Sequence, residues 1–128
     1  MGDEHATRGF QTDGAGAHWC AVANTEWGTI PGKAKGDTCW YPYGGQEYYT
    51  SDFQFVSCDN LIKMKNTGSQ PEGALSCGFQ TDGAGELFAA IAITEWGEIP
   101  GKAQGDTCWF PYGEEEHCTS EFFWIVCC

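Results

Sequence analysis

The sequence predicts an all-β protein made of two tandem repeats whose strands interleave. Three observations support this prediction: the chain is internally duplicated, its apolar runs are short, and it contains 18 glycines among 128 residues. Short apolar runs separated by glycine-rich segments are typical of strands and turns, because glycine accepts the positive φ values that tight turns require. No segment shows the apolar period of an amphipathic helix.

The duplication is an ungapped match in which Gly9 aligns with Gly78, 69 positions later. Roughly two-thirds of about 50 aligned positions are identical, which is far above chance. We therefore divide a single domain, residues 1–128, into repeat one (8–58), a connecting strand and turn (59–76) and repeat two (77–128). The main identical blocks are 9–16, 25–28, 30–34 and 36–40, which recur at 78–85, 94–97, 99–103 and 105–109.

Each repeat is predicted to contain three strands. In repeat one, Phe53 and Phe55 alternate with Gln54, as a strand with one buried face requires. In repeat two the predicted strands are residues 86–93, 107–112 and 121–127.

The connection between the repeats predicts a further strand at residues 61–64, followed by a turn at 68–73. No equivalent segment precedes Arg8, so repeat one is expected to borrow strands from repeat two or from a second chain. The glycine-dense segments and the Pro-Gly-Lys-Ala segments are predicted as surface loops, since proline and glycine both favour turns.

The charge balance restricts the class of partner. The chain carries 18 acidic and 6 basic residues, a formal net charge of −12, which would repel a phosphate backbone. Nucleic acid is therefore not expected as a partner. Residues 1–5 lack the features of a signal peptide, and no stretch is long enough to span a membrane. We expect a cytoplasmic protein, or one released without a signal peptide, that does not insert into membranes.

The eight cysteines show no Cys-x-x-Cys pair, so free thiols are predicted over a disulfide framework. Cys127 near the end of the chain has an internal counterpart, Cys58, at the end of a similar strand-like run. That correspondence favours a structural role for Cys127 over a C-terminal lipidation signal.

Charged residues that are identical in both repeats are few, and lysine is the only cation among them. A sugar hydroxyl both donates and accepts, so a carboxylate that accepts and an ammonium that donates suit a neutral polyol. We predict a sugar site in each repeat. The candidate sugar-binding residues are Asp13, Lys33, Glu47, Asp82, Lys102 and Glu116.

Other roles remain open for several of these positions. The aspartates next to glycine could stabilise their own turns, and the lysines could lie on the surface. Trp27, Trp40, Trp96 and Trp109 could stack on a pyranose ring or belong to the core. Surface or turn roles are favoured for Glu26, Asp37, Glu95 and Asp106.

No catalytic arrangement emerges from the sequence. His5, His18 and His117 lack counterparts in the other repeat, and no nucleophile elbow, phosphate loop or zinc-spaced ligand set is present. The adjacent His117 and Cys118 would point to opposite faces of a strand. We expect a protein that is not an enzyme and that needs no cofactor or metal.

The segments Ile99-Pro100-Gly101-Lys102 and Phe110-Pro111-Tyr112-Gly113, and the pair Gly44-Gly45 before Glu47, resemble the DM9 repeat family. The best understood members of that family are small invertebrate lectins made of two tandem DM9 motifs. The resemblance implies a β-sandwich with pseudo-twofold symmetry, recognition of mannose-type glycans and a homodimer. It also implies that Lys33 and Lys102 contact the sugar, together with an acidic residue in the loop at Asp13 and Asp82.

The sequence therefore leads to the hypothesis of a non-catalytic lectin with one site per repeat, suited to multivalent binding of glycans and to innate recognition of microbes. One alternative is a structural or protein-interaction module in which the loops are only turns and exposed aromatic residues bind a partner. A hydrolase would need two carboxyl groups across a cleft, which nothing in the spacing indicates.

Overall fold

The computed structural model describes residues 7–127, so His5 and Cys128 lie outside the described part of the chain. Thirteen strands and no helix occur in that range. None of these residues forms a helix that could cross a membrane. In repeat one the strands are β1 (Arg8–Gln11), β2 (Gly16–Thr25), β3 (Gly28–Lys35), β4 (Thr38–Tyr43), β5 (Gln46–Thr50) and β6 (Phe53–Phe55). The others are β7 (Leu61–Lys65), β8 (Ser76–Gln80), β9 (Gly85–Thr94), β10 (Gly97–Gln104), β11 (Thr107–Tyr112), β12 (Glu115–Thr119) and β13 (Phe122–Cys127).

The all-β prediction is confirmed. Strands β9, β11 and β13 match the three predicted in repeat two, and β7 matches the strand predicted in the connection. The prediction of only three strands per repeat was wrong, because β8, β10 and β12 and their repeat-one counterparts were not recognised. These strands are short or carry proline, glycine and charged residues, which weaken the sequence signal of a strand.

The strands form one hydrogen-bonded network. Eight of them close into a ring in the order β2-β1-β10-β11-β12-β5-β4-β3, with β3 pairing back to β2. Strand β6 extends from β2, and β8, β9, β13 and β7 continue from β3, with β9 also pairing with β10. A sandwich of two separate sheets is not confirmed by this topology.

The two repeats exchange strand partners within the described chain. Gln11 of β1 pairs with Gly97 of β10, and Gly28 of β3 pairs with Gln80 of β8. The turns at the ends of β5 and β12 meet where Gln46 pairs with Glu115. Repeat one thus borrows strands from repeat two of its own chain, and each repeat contributes to the same closed ring.

The Pro-Gly-Lys-Ala segments are not surface loops, which corrects the sequence-based prediction. Residues 31–34 lie inside β3 and are buried. On one edge β3 pairs with β2 throughout, whereas its other edge pairs with β8 at Gly28 and Thr29 and with β4 from Lys33 onward. Pro31 lies at this change of partner, where a strand tolerates a residue without an amide proton.

The glycine in each of these segments allows two strands to approach closely. A Cβ atom added at Gly32 would lie 2.1 Å from the carbonyl oxygen of Trp40, and one at Gly101 would lie 2.2 Å from that of Trp109. Both distances are far below van der Waals contact, so any larger residue forces β3 away from β4, or β10 from β11.

Among residues 7–127, the buried apolar side chains form three clusters. One belongs to repeat one around Ile30, and another to repeat two around Ile99 and Trp124. The third joins the repeats, because it packs Cys20 of β2 against Ile91 of β9 and neighbouring residues.

The cysteine prediction was wrong for one pair. Cys58 and Cys127, which are equivalent positions 69 residues apart, form a disulfide with a Cα–Cα distance of 6.1 Å. Sequence spacing could not show this, because the fold brings together two residues that are distant along the chain. The remaining described cysteines are free thiols: Cys20, Cys39, Cys77, Cys108 and Cys118.

We expect Gly32→Ala to destabilise the protein by about 3 kcal/mol or more, because the new methyl group would overlap the Trp40 carbonyl. Gly36→Ala is the control: no atom lies within 4 Å of its added Cβ, and its φ of 65° costs only about 1 kcal/mol. Urea unfolding followed by tryptophan fluorescence measures both. Equal losses for the two variants would contradict the close approach of β3 and β4.

Candidate functional site

Each repeat positions one buried lysine at the base of a polar site. Lys33 of β3 donates to Gln11 Oε1 over 2.6 Å and lies 3.6 Å from a carboxylate oxygen of Glu47 on β5. The Lys33 residue is only 5% exposed. Burial lowers its pKa, and the Glu47 carboxylate and Asp13 oppose that shift by favouring the ammonium form.

The equivalent lysine in repeat two has one further partner. Lys102 of β10 donates to the carbonyl oxygen of Pro42 over 2.9 Å and to Gln80, and its amine lies 3.4 Å from Glu116 of β12. Burial lowers the pKa of Lys102, and Glu116 opposes that shift. The sequence prediction of a lysine beside a carboxylate thus has a structural counterpart, although the nearest acid is the glutamate and not the aspartate.

Each glutamate is held by a turn of the other repeat. The backbone amide of Gly45 donates to Glu116 Oε1 over 2.9 Å, and that of Glu114 donates to Glu47 Oε1 over 3.0 Å. A carboxylate that accepts from both a backbone amide and a buried ammonium is fixed in position. The base of each site is therefore assembled only when both repeats are folded together.

The aspartates lie at the exposed rim of each site. Asp13 accepts from the backbone amide of Ala15 over 3.0 Å and from the hydroxyl of Tyr112 over 2.7 Å. The Tyr112 hydrogen bond, followed by that of the Ala15 amide, lowers the pKa of Asp13. The hydrogen bond to Asp13 in turn raises the pKa of Tyr112. The turn-stabilising role and a position in the site, which the sequence left as alternatives, are both present in the structure.

Asp82 has the same arrangement, but the largest cause of its lowered pKa is different. Its carboxylate accepts from the Ala84 amide over 3.1 Å and from the Tyr43 hydroxyl over 3.1 Å. The Ala84 amide makes the largest contribution to the lowered pKa of Asp82. Tyr43 belongs to repeat one and Asp82 to repeat two, so the rim, like the base, is shared between repeats.

Four site residues were missed by the sequence analysis: Gln11, Gln80, Tyr43 and Tyr112. Each glutamine accepts from the buried lysine and donates to the rim aspartate. All four are identical in both repeats, so the duplication does carry a signal for them, but they lack the charge that distinguishes the predicted residues.

The site of repeat two opens into a cavity of about 310 Å³. The tryptophans of the Trp-Gly motif do not line it: Trp27 and Trp96 stack on Tyr43 and Tyr112, with ring centroids 4.4 and 4.5 Å apart. Trp109 does line the cavity and presents an aromatic surface to it. The principal lining residues are Tyr43, Gln80, Asp82, Lys102, Trp109 and Glu116.

The other repeated acidic residues lie outside the sites. Glu26, Asp37, Glu95 and Asp106 are exposed, as predicted for surface or turn positions. Asp106 accepts from the amide of Asn66 over 2.7 Å. Within residues 7–127, no group of three or more histidine, cysteine, aspartate or glutamate side chains is arranged to hold a metal ion.

One known protein family matches the repeated segments that build the two sites. The model of the DM9 repeat matches residues 12–119, which is most of the chain. The chain belongs to the DM9 repeat family. No curated protein sequence is similar enough to this DM9 chain to count as a match.

The DM9 chain is also similar in fold to a solved structure, the nematode sperm cell motility protein MFP2B. The TM-score is 0.71 at 14% sequence identity, and the match covers all of this chain and 42% of that protein. The chain thus spans less than half the length of MFP2B, and at this identity the likeness is one of fold.

We expect Tyr112→Phe to raise the pKa of Asp13, because it removes the largest cause of its depression. Tyr43→Phe should raise the pKa of Asp82 by less, since the Ala84 amide is the larger cause there. Carboxyl NMR titration measures both. A larger rise for Asp82 than for Asp13 would contradict the hydrogen bonding described for the DM9 sites.

His18 should make stability depend on pH. Burial, followed by the charge of Lys33, lowers its pKa to about 4, so below pH 6.5 the unfolded chain takes up a proton that the folded chain does not. Above pH 6.5 His18 is neutral in both states and does not change the free energy of unfolding. As pH drops from 6.5 to 4, the free energy of unfolding falls by at most about 1.4 kcal/mol per pH unit.

His18→Leu should remove that loss, and leucine is the residue that fills the equivalent buried position, Leu87. Urea unfolding at pH 7 and pH 5 measures the difference for both proteins. An unchanged difference in the variant would show that His18 is not a neutral buried group.

Proposed function

We propose that this chain is a non-catalytic carbohydrate-binding protein with one site per repeat, and that the sites take mannose or a related hexose. Membership of the DM9 repeat family supports a carbohydrate-binding or interaction module. The choice of carbohydrate, and of mannose-type glycans within it, comes from the chemistry of the site together with the resemblance to tandem-DM9 lectins.

One observation carries the proposal: donors and acceptors converge around a small cavity that has an aromatic side. The cavity of about 310 Å³ lies near the lower end of the ~300–1,000 Å³ that ligand sites occupy, which suits a monosaccharide. Asp82 offers exposed carboxylate lone pairs to hydroxyl protons, and the Lys102 ammonium and the Gln80 amide lie below it, bonded within the protein. Trp109 gives the apolar face of a pyranose a surface to cover.

The polar groups of the site are preorganised for binding. Lys102 is tied to Glu116, Gln80 and the Pro42 carbonyl, and Asp82 is tied to its own turn. Such groups are held in place before a ligand arrives, which reduces the entropic cost of binding. Catalysis would need a general acid or a nucleophile aimed at the ligand. We propose that these residues instead bind the hydroxyl groups of a sugar.

Two sites per chain make multivalent binding the natural mode of action. Weak single sites that engage one glycan-coated surface gain avidity without any stronger contact, and a homodimer would double their number. We propose such a homodimer, acting in the cytoplasm or after release without a signal peptide. The net charge of −12 supports neutral glycans over nucleic acid as partners.

The test is binding to a glycan array, followed by calorimetry with methyl α-mannopyranoside. Asp13→Ala combined with Asp82→Ala should weaken binding about tenfold or more, because each site loses a charged acceptor. Asp37→Ala combined with Asp106→Ala is the matched control, since those aspartates are repeated and exposed but lie outside the sites. Binding that survives the first double variant, or is lost equally in the control, would refute the proposal.

A protein-interaction module is the second candidate, supported by exposed aromatic side chains. Phe10 and Phe79 are equivalent residues of β1 and β8, and they are 59% and 57% exposed. Each precedes the site glutamine of its repeat, so a partner could cover both features together. Partner binding that is unaffected by excess free sugar would favour this candidate over the lectin.

A further inference from the structure

The residues that line the repeat-two cavity match their repeat-one equivalents except at two positions. Where repeat one has His18 and Lys35, repeat two has Leu87 and Gln104. Both repeat-two residues line the cavity there, so the differences fall inside the sites and not in the surrounding scaffold. Duplicated sites that differ at lining residues are expected to differ in what they bind.

Lys35 places a second ammonium beside the first site. It follows Lys33 by two residues in β3, so both side chains point to the same face of the strand. Its amine donates to the carbonyl oxygen of Ala15, in the turn that carries Asp13. That bond uses one of the three donors of the ammonium, and Lys35 is exposed, so donors remain for a ligand.

Gln104 is the neutral counterpart of Lys35. Its amide donates to the carbonyl oxygens of Ala84 and Glu86, over 2.6 and 2.9 Å. Both amide protons are therefore used within the protein. Gln104 closes the turn as Lys35 does, but it adds no charge to the repeat-two site.

His18 adds no charge near neutral pH, because burial and the two lysines lower its pKa to about 4. Its ring packs edge-on against Trp40, with centroids 5.7 Å apart. The lysines Lys33 and Lys35 and the carboxylate of Asp13 all act on this ring electrostatically, so the groups of the first site lie close together.

Counted over these lining residues alone, the charge balance of the two sites therefore differs by one unit. Near neutral pH the first site combines two ammonium groups with the carboxylates of Asp13 and Glu47. The second combines Lys102 alone with the carboxylates of Asp82 and Glu116. A negatively charged ligand thus meets one more lining ammonium in the first site than in the second.

We propose that the repeat-one site favours saccharides that carry a carboxylate, such as uronic acids, whereas the repeat-two site favours neutral saccharides. Lys35 is the residue that decides the difference, by pairing with the ligand carboxylate. A carboxylate carries one negative charge and matches the one additional ammonium, whereas a phosphate monoester carries about −1.5 to −2. The inference rests on the proposed function, since it assigns a class of sugar to each site.

The test compares two probes that differ only at one carbon: methyl α-mannopyranoside and its uronic acid. Indole NMR signals of Trp40 and Trp109, assigned with Trp40→Phe and Trp109→Phe, report which site of the intact chain is filled. We expect the uronic acid to perturb Trp40 at concentrations about fivefold lower than those needed to perturb Trp109. A fivefold change in affinity is about what one surface ion pair contributes. The neutral glycoside should perturb both.

Exchanging the deciding residues gives the matched variants. Lys35→Gln should reduce the affinity of the first site for the uronic acid about fivefold and leave the neutral glycoside unchanged. Gln104→Lys should raise the affinity of the second site for the uronic acid by about the same factor. Acetate alone should perturb neither tryptophan at the same concentrations, which separates recognition of the sugar from attraction of any anion.

The outcomes separate the two proposals. If neither probe shifts either tryptophan, the proposed function itself fails. If the neutral glycoside binds but the uronic acid shows no preference for the first site, or Lys35→Gln leaves that preference intact, only the present inference is overturned. Binding of acetate as strong as that of the uronic acid would also overturn it.

Discussion

The buried pair of lysine and glutamate in each repeat is the interaction on which the rest of the site depends. Lys33 and Lys102 are removed from water, which is costly unless a carboxylate and further hydrogen bonds compensate. Both repeats contribute to this compensation. The glutamate belongs to the same repeat as the lysine, and the backbone amide that holds the glutamate belongs to the other repeat. Docking of the repeats and assembly of the sites are therefore one event.

This dependence explains why the sequence contains two copies. A single repeat would have its lysine but would lack the opposing tyrosine and turn, so neither the rim nor the base of its site would be complete. The disulfide between the equivalent Cys58 and Cys127 adds a covalent link between the repeats. The lining positions nevertheless differ between the repeats, as His18 and its equivalent Leu87 show.

Much of the site was predictable because the duplication shows which residues both repeats contain. Asp13, Lys33 and Glu47, with their counterparts, stood out as charged residues present in both copies, and the structure brings them together in each half. The site tyrosines and glutamines are also identical in both repeats, but they carry no charge and were therefore not predicted. The Pro-Gly-Lys segment was misassigned because proline and glycine usually indicate a turn, whereas here they lie inside a strand that changes partners.

The sequence by itself determined the duplication, the all-β class and the identity of the charged residues, because these follow from local composition and from comparison of the chain with itself. Only the tertiary structure decided which strands pair across the repeats, that Tyr112 meets Asp13, and that Cys58 meets Cys127. The last two contacts join residues 99 and 69 positions apart. Such pairing depends on the register of the closed ring and on backbone approach at two glycines, for which neither local propensity nor the repeat offset provides a signal.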